Sequence, residues 1–135
     1  MKEVFIDLPF PPTVNSYYGH NTRGIKYVSK RGRVFRDLCA EMCNEQNVYN
    51  MRIDTRISLD VILYPPDKRK RDLDNYMKAL QDALTLSNVW TDDELIDGLH
   101  IHRGKLLTGG KCSVRISDHS GFIMPDSPNI WDFIE

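Results

Sequence analysis

From Ile53 to Leu63 every second residue is apolar or β-branched: Ile53, Thr55, Ile57, Leu59, Val61 and Leu63 alternate with Asp54, Arg56, Ser58 and Asp60. A period of two predicts an extended strand over 52–63 with one face in a core and the other wet or charged. Pro65 and Pro66 stop it, because proline cannot donate to a ladder. Directly after them comes Lys68-Arg69-Lys70-Arg71-Asp72-Leu73-Asp74-Asn75-Tyr76-Met77-Lys78, four cations running into two carboxylates spaced by one residue.

The rest of the chain supplies an α+β pattern. Val4, Ile6 and Leu8 alternate in a short strand over 2–8. Pro9-Phe10-Pro11-Pro12-Thr13-Val14-Asn15 reads as a stiff extended segment. A first helix starts near Ser29 to Gly32 and ends near Asn47, with Val34/Phe35, Leu38/Cys39 and Met42 as its apolar stripe. A second runs from about Asp74 to Leu86 on Met77, Leu80, Ala83 and Leu84. Leu99 and Ile101 alternate with His100 and His102, and Cys112, Val114 and Ile116 with Ser113 and Arg115. These are two more strands, turned by Gly109-Gly110. The expectation is a small mixed sheet of about four strands with two main helices.

At 135 residues this is one domain with a sizeable core. It is divided into residues 1–117 and an acidic C-terminal tail, 118–135. No apolar run is long enough to span a membrane, and Met1-Lys2-Glu3-Val4 does not open a signal peptide. Three cysteines predict reduced thiols in a cytoplasmic protein. Cys39, Cys43, Cys112, His100 and His102 lack the compact spacing of a zinc site and read as core thiols and strand residues. The formal charge of −1 misleads, because all 18 Lys and Arg precede residue 118. The tail holds Asp118, Asp126, Asp132 and Glu135, and ends in the apolar tip Ile130-Trp131-Asp132-Phe133-Ile134.

Two stretches carry chemistry. Between Asp7 and Asp37 there is no acid, and Tyr17, Tyr18, His20 and Tyr27 are interleaved with Arg23, Lys26, Lys30, Arg31, Arg33 and Arg36. Cations neutralise phosphates and aromatic rings stack on exposed bases, so this loop or loose hairpin is expected to touch DNA. The second stretch is Lys68–Lys78. Helical residues two apart point to nearly opposite sides, whereas extended residues two apart share a face. Asp72 and Asp74 act together only if the backbone turns from extended to helical between them. In that case Asp72, Asp74 and one of Asp92/Asp93 offer hard oxygen ligands suited to Mg²⁺. Lys78, one turn after Asp74, would hold the phosphate or orient the nucleophile, and Lys68, Arg69, Lys70 and Arg71 would steer the DNA backbone. The plainer alternative makes Asp74 a helix cap, Lys78–Asp82 a surface pair and Lys68–Arg71 a solvated loop.

Arg71-Asp72-Leu73-Asp74-Asn75-x-x-Lys78 with Asp82-Ala83-Leu84, then Trp90-x-Asp92-Asp93, resembles the RusA family of Holliday junction resolvases. Leu8-Pro-Phe-Pro-Pro-x-x-Asn15 with Tyr17-Tyr18-x-His20, and Val28-Ser29 leading to Phe35-Arg36-Asp37, are similar to that family's opening. The resemblance covers roughly residues 4–117. It implies an α+β homodimer that cuts four-way junction DNA with Mg²⁺ in recombination and repair, by paired symmetric nicks. It marks Asp72, Asp74 and Asp93 as metal-binding acids, Asp92 as an accessory acid and Lys78 as an essential cation. The tail has no counterpart in it. Two other readings remain: a broader branched-DNA nuclease taking flaps or forks, and a non-catalytic junction-binding module. Carboxylates facing phosphates argue against the second.

Overall fold

The computed structural model describes residues 3–118. The apolar tip and all of the acidic tail except Asp118 lie outside the described residues. Four strands form a mixed sheet in the order β1 (Val4–Leu8), β6 (Lys111–Asp118), β4 (Ile57–Tyr64), β5 (Ile96–Arg103). The contacts β1–β6 and β6–β4 are antiparallel, and β4–β5 is parallel. A parallel pair needs a long crossover, and here it is the whole segment 65–95 that carries the acids. A separate hairpin pairs β2 (Tyr18–His20) with β3 (Lys26–Val28), so the loose hairpin expected near residue 20 is present.

One face of the sheet is dry. Ile57, Leu59, Val61 and Leu63 of β4 alternate with less buried neighbours, and Cys112, Val114 and Ile116 of β6 and Ile6 and Leu8 of β1 are buried beside them. Against this face lie α2 (Lys30–Glu45) and α3 (Met77–Leu86), through Phe35, Cys39 and Cys43 and through Leu80, Ala83 and Leu84. The fold is a small α+β domain with two main helices, as the periodicities predict. Ser29 caps α2, its Oγ accepting from the Gly32 N–H at 3.1 Å. All three thiols are free and buried; burial drives the Cys39 and Cys43 thiols upward and the Cys112 thiol up to about 12.

Three boundaries differ from the alternation. The strand expected over 52–63 begins only at Ile57. Asn50 and Arg52 have φ of 59° and 54°, which breaks the extended backbone, and Ile53 makes only an isolated bridge to Trp90. The proline segment is not extended to Asn15, because Thr13 accepts from the Ser16 N–H and caps a single helical turn, α1 (Val14–Tyr17). Leu99, expected on a core face, is 40% exposed: β5 is an edge strand, beyond the cover of the two helices.

Candidate active site

The segment after β4 is held by its own charges. Asp67 accepts from Arg71 Nη1 at 2.8 Å and from the Arg69 N–H at 3.0 Å. The Arg71 hydrogen bond, the largest cause, holds the Asp67 carboxyl below its ordinary range. Arg71 Nη1 also donates to the Asp67 carbonyl, and Arg103 Nη2 donates to the Arg71 carbonyl at 2.7 Å. With its side chain 15% exposed, Arg71 is a strut of the loop. Lys68, Arg69 and Lys70 are exposed.

At Asp72 the backbone is extended (φ −91°, ψ 126°), and from Leu73 it turns helical. The change of form demanded by the Asp-x-Asp spacing therefore falls between the two carboxylates. The helix does not begin as α-helix at Asp74, however. A 3-10 turn, Leu73–Tyr76, comes first, and α3 starts at Met77. No side chain caps this end, so the first amides tighten onto i→i+3 partners, such as Asn75 N–H to the Asp72 carbonyl. Asp74 is thus not a cap. Both Asp72 and Asp74 are exposed, and neither forms an ion pair among the described residues.

Lys78 lies in the first turn of α3, and its Nζ donates to Asp82 Oδ1 at 3.1 Å. That bond is the main reason its pKa is raised; Tyr18 and Asp93 add smaller contributions in the same direction. The other Asp82 oxygen lies 4.0 Å from Arg36, whose Nε donates to the Tyr17 hydroxyl at 2.6 Å. Arg36 and Asp82 enter the site this way, as a relay behind Lys78. Their residue types gave little hint of it; the i,i+4 spacing of Lys78 and Asp82 was the available signal.

The second acidic cluster is delivered by Trp90. Fully buried, its indole N–H donates to Thr85 Oγ1 at 2.7 Å. Past it, Asp92 caps a 3-10 turn, Asp93–Leu95, by accepting from the Glu94 N–H at 2.9 Å. Arg56 takes Glu94 at 2.9 Å and Asp97 at 3.3 Å. This leaves Asp92 and the half-buried Asp93 out of any ion pair among the described residues. The turn carrying Asp74 runs straight into α3, and the turn carrying Asp93 packs against the same helix.

These donors suit a hard divalent cation in chemistry: all are carboxylate oxygens, and none of Asp72, Asp74 or Asp93 is neutralised by a salt bridge among the described residues. In this arrangement no three His, Cys, Asp or Glu side chains among the described residues stand close enough together to hold an ion. To hold one, Asp72, Asp74 and Asp93 would have to draw closer together.

The basic aromatic segment is placed only partly as expected. His20, Arg23, Lys26, Lys30 and Arg31 are exposed on or beside the hairpin, and Lys26 Nζ sits 3.8 Å over the Tyr18 ring. Tyr17 is a correction. It is fully buried, packs edge-on to Tyr18 at 4.8 Å and cannot stack on a base. Burial raises its hydroxyl pKa to about 12.

Residues 9–117 match the family described as Endodeoxyribonuclease RusA. A crossover junction endodeoxyribonuclease RusA of Escherichia coli O139:H28 is 36% identical over 122 residues, covering 87% of this chain and 97% of that protein. The chain belongs to the RusA family of endodeoxyribonucleases. Other RusA relatives are similar at the same coverage: the Escherichia coli K12 protein at 34% identity and that of Enterobacteria phage 82 at 32%. The RusA match contains Asp72, Asp74, Lys78, Asp92 and Asp93, and it ends before the acidic tail. No helix among the described residues is long and apolar enough to cross a membrane.

Proposed function

We propose that this endonuclease resolves four-way DNA junctions by paired symmetric nicks, acting as a homodimer with one site per subunit. One observation carries the reading. The backbone changes form between Asp72 and Asp74, beside Lys78, and the Asp93 turn packs on the same helix. The names of the relatives point to crossover junctions as substrate, and a two-fold substrate calls for two related sites.

Asp72, Asp74 and Asp93 would hold Mg²⁺, with Asp92 as an accessory acid. When bound, the ion lowers the pKa of water and stabilises charge on the scissile phosphate. The chain's own part is positioning. Asp82 keeps Lys78 charged and fixed at the start of α3, where Nζ can bind a phosphate oxygen. Lys68, Arg69 and Lys70 gather the strand that is cut, with Arg71 bracing the loop beneath them. Arg31 borders the same loop, while His20, Arg23, Lys26 and Lys30 hold the neighbouring arm.

The test is incubation of the purified chain with a synthetic four-way junction and Mg²⁺, beside Asp74→Asn. Wild type is expected to yield two symmetric nicks, and the variant at least about a hundredfold less product. Equal cutting by both, or none by either, overturns the reading. Flaps and forks in the same panel decide between a junction resolvase and a broader branched-DNA nuclease.

A further inference from the structure

Two recesses lie back to back where the proline segment meets the loop after β4. The first is a cavity of about 340 Å³. Phe10, Leu73, Tyr76 and Leu106 are among its apolar and aromatic walls, and the cations of residues 68–71 and Arg103 line it as well. Phe10 and Tyr76 meet edge to face at 4.9 Å. The acid on its wall, Asp67, is engaged by Arg71 and Arg69. The second recess, about 270 Å³, is lined by Arg31, Arg69, Lys70 and Arg71 with the hydroxyls of Thr13 and Ser16. No acid lines it among the described residues. The two share Phe10, Arg69, Lys70, Arg71 and Tyr76.

A recess with apolar and aromatic walls ringed by cations, continuous with one whose charged lining among the described residues is all cationic, offers the two surfaces that a single nucleotide needs, one for a π-face and one for a phosphate. Ligand sites span about 300–1,000 Å³, and the first recess is at the small end of that range, the scale of one base. Its wall residue Leu73 lies between Asp72 and Asp74 in the chain, so a base seated there brings its own strand to the carboxylates.

We infer that these recesses hold one unstacked nucleotide of the DNA, its base against Phe10 and Leu106 and its phosphate among Arg31, Arg69 and Lys70. This rests on the nuclease reading and extends it to how branched DNA is told from duplex. Removing a base from a continuous stack is costly, and the cost is least where the stack is already interrupted. A branch point offers such a base and a plain duplex does not.

The experiment uses the full chain in EDTA and a set of junctions, each with one base near the crossover replaced by an abasic site. Binding is read by fluorescence anisotropy. One abasic position is expected to weaken binding by about tenfold, the scale of one lost base–aromatic contact. Leu106→Trp, which fills the cavity from a rim position already 46% exposed, is expected to abolish that dependence. Leu106→Glu, which sets a negative charge at the mouth, is expected to reduce it. Thermal unfolding confirms that both variants are folded. The inference is overturned if the intact junction binds and no abasic position changes affinity by more than about twofold. It is equally overturned if folded Leu106→Trp keeps the full dependence. Adding Mg²⁺ to the same unmodified junction tests the nuclease reading separately. Cutting without an abasic effect removes the nucleotide site alone, whereas an abasic effect without cutting removes the catalytic reading alone.

Discussion

Asp82 lies outside the proposed metal-binding set, yet it controls the charge and position of Lys78. It holds the Lys78 ammonium at 3.1 Å and raises its pKa above the ordinary 10.5. Removing its charge lets that pKa fall back, so the neutral amine forms at lower pH. Asp82→Asn is therefore expected to lower kcat/KM by about tenfold through loss of positioning. It is also expected to move the alkaline limb of the pH–rate profile to lower pH; an unmoved limb would make Asp82 merely structural. The stability contribution has the same sign: it is present below the unfolded-state pKa of Lys78 and lost as pH rises through the folded one. The three cysteines make a second residue-scale case. Buried, with raised pKa values, they remain thiols. A thiol reagent near neutral pH should label none of them in the folded protein and all three after unfolding.

Among elements, the short connection from α3 to β5 is the one whose packing serves the chemistry. Trp90 fills the core and donates to Thr85 at its lower end, and this fixes where the Asp93 turn emerges. Trp90→Ala is expected to destabilise the fold by about 3–5 kcal/mol. Activity measured well below its melting temperature should fall further than stability alone explains. Urea unfolding and single-turnover cleavage, measured together, check this. The same element shows what could be read in advance. The switch after Asp72 was legible because two carboxylates two residues apart can share a face only if the backbone changes form between them. The alternation from Ile57 to Leu63 was legible because the period survives in a strand buried on one side. The start of that strand was not, because the positive φ at Arg52 has no marker in an arginine side chain. Nor was the burial of Tyr17: a tyrosine among cations looks the same whether it faces DNA or the core, and its partner Arg36 is 19 positions away.

For the molecule as a whole, charge is divided along the chain rather than balanced locally. The described domain presents an exposed basic hairpin and loop, while Asp126, Asp132 and Glu135 follow where the family match has ended. A chain ending at Asp118 loses those acids and no cation. It is expected to bind junction DNA a few times more tightly at low salt, with the difference shrinking as salt screens it. Titrations at two ionic strengths read this out, and equal affinities at low salt would show that the tail exerts no field at the DNA surface.

The parallel pairing of β4 and β5 bears on when such an enzyme becomes dangerous. Unlike a hairpin, this pair cannot zip from a tight turn; it forms only after the entire 65–95 crossover has been laid down and closed over the sheet. Asp74 and Lys78 lie inside that crossover, and Asp93 at its far end. Until that crossover closes, the turns that carry Asp74 and Asp93 are not brought to their places around α3. For the proposed site, a chain whose crossover has not closed is therefore expected not to cut, so that topology itself would withhold the reaction from immature copies.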